Sequence, residues 1–213
     1  MIDFHTHTLL SDGELLPTEL VRRAVAIGYK GIGLADHVDV SNIDFVVPRI
    51  VKSAKNLTSN KIKVVPGVEL THVPPKDIAA LVKYARYNGI KLIIVHGETI
   101  VEPVIPGTNA AALDTGIDIL AHPGLITLKE AKTAAKKGIY LEITTKKGHS
   151  LTNGHVAMTA CKAGAKLVIN TDSHAPDDLI TRERAVSVLI GSGLDMLRVR
   201  SVLRNSEVLL RKF

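Results

Sequence analysis

The 213-residue chain has one cysteine, Cys161, no tryptophan and only 3% aromatic residues. A single cysteine excludes an intramolecular disulfide and a metal site built from thiolates. So few aromatics leave little on which single-stranded bases could stack. No apolar run approaches the ~18 residues of a membrane span. The opening MIDFHTH has neither the charged start nor the apolar stretch of a signal peptide. The expectation is a soluble, cytoplasmic protein with no membrane partner. Low-complexity tracts, long linkers and blocks of like charge are also missing. The composition is 46% hydrophobic and 23% charged, ordinary for a globular domain and incompatible with disorder. Lys and Arg number 27 against 21 Asp and Glu, a net charge of +6. The densest basic stretch, Arg198, Arg200, Arg204, Arg211 and Lys212, reads as the solvated face of a last helix.

One unit recurs along the chain: a β-rich apolar run, a polar turn, then a helical pattern. The runs are Ile2 to His7, Gly31 to His37, Lys63 to Leu70, Lys91 to His96, Ile117 to His122, Ile139 to Thr144 and Lys166 to Asp172. Rich in Val, Ile and Leu without clean alternation, they suit parallel strands buried on both faces. Between them lie helix signals. Pro17 opens an apolar-periodic stretch that stops at Gly28. Thr127 and Glu130 have capping-box spacing before a stretch ending at Gly138. Asn153 to Gly164 and Thr181 to Leu189 are further helices. Seven such units argue for a parallel α/β fold. Gly31 and Gly33 lie inside a strand and form no dinucleotide fingerprint, since no third glycine opens a helix after them.

Six of the nine histidines end predicted strands: His5, His7, His37, His96, His122 and His174. Asp12, Glu69 and Asp172 accompany them. Strand C-terminal ends converge on one face in parallel α/β folds, and in barrels that face holds the active site. His5 and His7, two apart, point the same way, and Asp172 and His174 repeat this on the last strand. A closed barrel brings the two pairs together, so a barrel is expected rather than an open sheet. Imidazoles and carboxylates packed this way are costly to bury without a metal. The thiolate-free set favours Zn, Mn or Fe over Mg. Nine candidate ligands exceed what one ion takes, so two or three divalent ions are expected. Closely spaced ions suit hydrolysis of a phosphate ester, with amide hydrolysis the chemical competitor.

The segments HTHTLLSDG at the start, ADH at 35–37, GVE at 67–69, AHPG at 121–124 and TDSH at 171–174 follow one another in order. With them the chain resembles the PHP (polymerase and histidinol phosphatase) family along nearly its whole length, 1–213, as a single PHP domain. The resemblance implies a distorted (β/α)7 TIM-like barrel and a site for three ions. His5, His7, Glu69 and Asp172 would hold the first. Glu69 would bridge to a second at His96 and His122, and Asp12, His37 and His174 would take the third. Some relatives have histidine where this chain has Asp12. The implied mechanism is in-line attack on phosphorus by a metal-bridging hydroxide, with the ions neutralising the phosphoryl oxygens. Glu69, Asp172 and His174 are then catalytic.

At least one of two cations, Arg182 and Lys146, is expected at the substrate phosphate, since both follow late strands and a phosphate needs cationic partners. His149 is either a general acid or an exposed loop histidine. His72 and His155 are read as non-ligands. Glu98 is expected to orient His96, Thr108 and Asn109 to cap a helix or line the pocket, and Cys161 to be a buried packing residue. The leading expectation is a phosphomonoesterase of the histidinol-phosphatase type, acting on a small phosphorylated substrate in histidine biosynthesis. A positive surface suits such a substrate. The alternative is a phosphoesterase of nucleotides or single-stranded nucleic-acid ends. A third reading, a non-catalytic binding module like a ribonuclease P subunit, is opposed by the complete ligand set. Nothing in the sequence sets the oligomeric state.

Overall fold

Six of the seven apolar runs become one parallel strand each and the seventh becomes two in the computed structural model, which describes residues 1–213. The strands are β1 (Ile2–Thr6), β2 (Gly31–Leu34), β3 (His37–Val38), β4 (Lys63–Leu70), β5 (Leu92–His96), β6 (Ile119–Ala121), β7 (Tyr140–Thr144) and β8 (Leu167–Asn170). The α-helices are α1 (Pro17–Ala26), α2 (Ile43–Leu57), α3 (Ile78–Tyr87), α4 (Thr108–Leu113), α5 (Leu128–Lys137), α6 (Asn153–Ala163), α7 (Arg182–Gly191) and α8 (Met196–Lys212). The sheet order is β1-β2-β4-β5-β6-β7-β8, with every pairing parallel. This is a nearly closed seven-stranded barrel wrapped by helices, the distorted (β/α)7 TIM-like form.

The seam between β8 and β1 is closed largely by side chains. One bridge joins Thr6 and Ser173, where the His7 N–H donates to the Ser173 carbonyl at 2.8 Å. Below it, the Phe4 N–H donates to Asn170 Oδ1 at 2.9 Å, and the Thr171 hydroxyl donates to Asp3 Oδ2 at 2.6 Å. Burial pushes the Asp3 carboxyl up to about 6 against those hydrogen bonds.

The run from Gly31 to His37 is broken, which the sequence did not announce. At the break, Asp36 Oδ1 accepts from the Thr8 N–H at 2.7 Å and the Ser11 hydroxyl at 2.8 Å. The chain resumes as β3, whose His37 pairs with Glu69 of β4. That register sets the two side chains next to each other at the barrel mouth.

Phe4, Val65, Leu92, Ile94, Ile119 and Val168 fill the lower barrel interior, with Leu209 of α8 and Phe213 closing the bottom. Gly33 is required there: a Cβ would lie 2.4 Å from the Phe4 carbonyl oxygen. The larger core lies between the barrel and its helices. The capping box at Thr127 and Glu130 forms as expected, and Gly138 and Gly164 end α5 and α6 in the left-handed conformation. The basic C-terminal stretch is the outer face of α8, whose inner face buries Val199, Val202 and Leu209. Cys161 is exposed rather than buried. Helix α6 turns Val156, Ala157 and Ala160 inward, and the next residue rotates out. No helix is long and apolar enough to cross a membrane.

Candidate metal centre

All nine expected ligands meet at the upper end of the barrel. Glu69 lies among four imidazoles. Its Oε2 is 3.2 Å from His5 Nε2, 3.7 Å from His7 Nε2 and 2.8 Å from His37 Nδ1, and its Oε1 is 3.7 Å from His122 Nε2. Asp172 Oδ1 lies 3.2 Å from His7 Nε2 and 3.4 Å from His174 Nδ1, and its Oδ2 is 3.7 Å from His122 Nε2. Asp12 reaches over from the β1–α1 loop, 3.5 Å from His37 Nε2 and 3.3 Å from His174 Nε2. Donor atoms within 4.8 Å of one another form groups including His5, His7 and Asp172; His5, Glu69 and His122; His96, His122 and His149; and His7, Asp12, His37 and His174.

Proton-mediated pairing does not satisfy this cluster. His5 Nε2, both ring nitrogens of His7 and of His122, Glu69 Oε1 and Asp172 Oδ1 are buried without a hydrogen-bond partner. Each such group costs roughly 1–3 kcal/mol if left alone. Divalent cations fit this donor set, because the unpartnered atoms are oxygens and imidazole nitrogens facing shared space. Burial and neighbouring imidazoles, His37 and His5 for His7 and His96 for His122, hold these two rings well below the usual range, so their lone pairs are free. Burial also pushes Glu69 up, but His5 and His37 outweigh it and hold the carboxylate well below its ordinary value. Burial, reinforced by Glu69, pushes Asp172 up to about 7 against the pull of His5. His122 and Asp172 both have positive φ, 24° and 54°. Such backbone costs on the order of 1–3 kcal/mol per residue and persists where the surroundings impose it.

The far ring nitrogens are anchored. His5 Nδ1 donates to Glu142 Oε1 at 2.9 Å, and His96 Nδ1 donates to the Gly97 carbonyl at 3.1 Å. His174 Nδ1 lies 2.9 Å from the Asp172 carbonyl. Each anchor turns Nε2 toward the centre. Glu142 is fully buried in β7 and also accepts from Asn170 Nδ2 at 2.8 Å and the His122 N–H at 3.1 Å. Sequence reasoning missed it, although a lone acid inside the apolar run YLEIT was the available signal. Glu142→Gln should weaken metal retention about 10–100-fold while the fold survives, as read by competition with a chelator.

The model of the PHP domain matches residues 3–102. An uncharacterized protein of Methanocaldococcus jannaschii is 47% identical over 195 residues, covering 90% of this chain and 89% of that protein. The chain belongs to the PHP domain family. A ribonuclease P protein component 3 of Methanosarcina mazei is 31% identical over 149 residues, covering 67% of this chain and 55% of that protein. Among solved structures, an archaeal ribonuclease P with mature tRNA contains a similar chain, with TM-score 0.72, 17% identity and coverage of 98% and 90%. The histidinol phosphate phosphatase of Lactococcus lactis, complexed with zinc, L-histidinol and phosphate, gives TM-score 0.57, 16% identity and coverage of 99% and 92%. At such identities the structures speak for the fold alone.

Above this PHP centre opens a cavity of about 620 Å³ whose wall includes Asp12, Asp39, Asn42, Glu102 and Lys146. Val38 is its one hydrophobic lining residue. Lys146 reaches the cavity wall, where its Nζ donates to the Asp172 carbonyl at 3.1 Å and lies 2.7 Å from His174 Nδ1. Arg182 does not. It lines a separate cavity with Met1, Ile2 and Lys30, at the end of the barrel where the strands begin. The short turn at Pro176–Asp178 carries the chain away from the mouth before α7 starts. Arg182→Ala should therefore leave turnover within about twofold of wild type, measured as kcat/KM on any substrate the protein hydrolyses.

Glu98 does not orient His96. Its Oε1 accepts from the Gly107 and Asn109 N–H groups at 3.0 and 2.8 Å, holding the start of α4. Asn109 in turn ties two loops, accepting from the Glu98 N–H and donating to the Pro123 carbonyl. Thr108 caps nothing from its side chain, since the N-cap position falls on Gly107. His155 donates to the Ile126 carbonyl, away from the centre. His149, in the loop after β7, is buried, not exposed. Glu102, which the sequence reading did not single out, stands between His72, His96 and His149.

Proposed function

We propose that this chain is a metal-dependent hydrolase of phosphate esters, a phosphomonoesterase of the histidinol-phosphatase type that acts as a single PHP domain over 1–213. The reading rests on one observation: buried, unpartnered donor atoms of His5, His7, Glu69, His122 and Asp172 converge beneath an open polar cavity. His5, His7, Glu69 and Asp172 would hold one divalent ion, Glu69, His96 and His122 a second, and Asp12, His37 and His174 a third. Zn, Mn or Fe in those places would supply positive charge for phosphoryl oxygens and acidify water.

The chain's own groups orient the substrate. Lys146 is the only Lys or Arg on the cavity wall. Its ammonium offers a point charge to a phosphoryl oxygen beside the Asp172–His174 end of the cluster. Glu69, ionised and fully buried, fixes the spacing between the imidazole groups on its two oxygens. The volume lies within the range of small-molecule sites. No Phe, Tyr or Trp lines it, so it offers no aromatic platform for bases.

The likeness to ribonuclease P chains favours a second reading, in which RNA or nucleotide ends are the ligand. Phosphate release from L-histidinol phosphate by manganese- or zinc-replete protein separates the readings. A kcat/KM of about 10⁴ M⁻¹s⁻¹ or better supports the phosphomonoesterase and a cytoplasmic role in histidine biosynthesis. Negligible turnover alongside hydrolysis of nucleotides or oligonucleotide ends would replace it with the second reading. RNA binding with no hydrolysis by metal-loaded protein would leave a binding module.

A further inference from the structure

We infer that His149 and Glu102 are two additional ligands of the ion at His96 and His122, an inference that rests on the metal-centre reading above. Three observations carry it. First, His149 has the two-ended arrangement of the other candidate ligands. Its Nδ1 is held by the Thr99 hydroxyl at 2.8 Å, which leaves Nε2 turned inward. The residue is 6% exposed. Its ring lies on that of His122, with centroids 4.2 Å apart at 14°, a stack out of which one ring turns when both bind one ion. His96, His122 and His149 form a single donor group, and both ring nitrogens of His122 are without a partner.

Second, the Glu102 carboxylate spans that group. Its Oε1 lies 3.3 Å from His149 Nε2 and its Oε2 3.1 Å from His96 Nε2. Separations near 3 Å are those of neighbouring donors on one ion with bonds of about 2.0–2.2 Å. Third, the two residues come from loops that are joined. Thr99, in the loop that carries Glu102, anchors His149 directly. Gly148, just before His149, faces Val101 at 3.5 Å from its Cβ position.

The remaining two histidines show what a non-ligand looks like. His72 also touches Glu102, at 3.0 Å, and forms a donor group with it and His96, but its side chain is 40% exposed and its Nδ1 has no anchor. His155 points its Nε2 at a carbonyl outside the centre. Counting Glu69, the second position would draw on three imidazoles and two carboxylates. That donor set suits Zn, Fe or Mn better than Mg.

Full-length wild type, His149→Ala, Glu102→Gln and His72→Ala would each be loaded with Co²⁺, then equilibrated against a chelator buffer. Visible spectra and cobalt per chain are the readouts. His149→Ala and Glu102→Gln should each release one ion at least tenfold more readily and change the cobalt absorption bands, while His72→Ala matches wild type. Glu102 lies on a part-exposed loop, so its variant reports even if His149→Ala folds poorly. Unchanged bands and cobalt content in both variants would overturn the inference while leaving the metal centre standing. Wild type that binds no cobalt would overturn the metal centre itself.

Discussion

Glu69→Gln should lower kcat/KM by at least about 10³-fold and reduce the metal content of the purified protein. The amide keeps the volume but loses the charge. Both Glu69 oxygens face imidazoles, His5, His7 and His37 on one side and His122 on the other. The residue is fully buried, so no solvent can replace what the substitution removes. An amide NH₂ would also point a donor at imidazole nitrogens turned inward as acceptors. One change therefore disturbs two ion positions, whereas removing His96 or His174 disturbs one. Kinetics and metal analysis on protein with wild-type circular dichroism check this. Full activity with full metal content in Glu69→Gln would contradict it.

Stripping the metals should lower the melting temperature by roughly 10 °C or more. Binding at a thousand times Kd contributes about 4 kcal/mol per ion. In a chain of this size each kcal/mol moves Tm by about 2–4 °C. The metal-free state would keep several buried donors without partners, and positive φ at His122 and Asp172 with less to hold it. Its pH dependence has a defined sign. Glu69 and other acids outweigh burial and raise His5 well above its ordinary value, and His37 is raised in the same way. Their contribution to metal-free stability is complete below the unfolded value near 6.5 and is lost as pH rises through the raised ones. Asp172, pushed up to about 7 by burial, changes in the same direction until it ionises. Metal binding strengthens over that interval, because protons no longer compete for the imidazoles. The Tm gap between loaded and stripped protein should widen from pH 7 to 9, which scanning calorimetry measures. A gap that narrows would contradict the account.

The strand ends were legible because their residues combine two rare properties. They close apolar runs and they carry donors, and His5, His7, Glu69, His96, His122 and Asp172 all do so. Barrel closure followed from pairing His5 and His7 with Asp172 and His174, and the Thr6–Ser173 bridge joins those segments. What escaped the sequence depends on contacts across long separations. Glu142 acquires its role from His5, 137 positions away. Arg182 lies close in sequence to the mouth-facing His174, yet one short helical turn sends it to the other end of the barrel. The break at Asp36 goes with a side chain held by Thr8 and Ser11 of another loop, a tertiary contact that no local pattern encodes. His149 looked like a loop residue because the loop from Gly97 to Gly107 that buries it has no periodicity to read.

Counting the metal ions in purified wild-type protein by mass spectrometry of the elements tests the central claim most directly. The account predicts two to three equivalents of Zn, Mn or Fe per chain, removed by chelation together with phosphate-ester hydrolysis and restored with it. Protein that holds at most one ion, or that hydrolyses phosphate esters undiminished after the metals are gone, would contradict it.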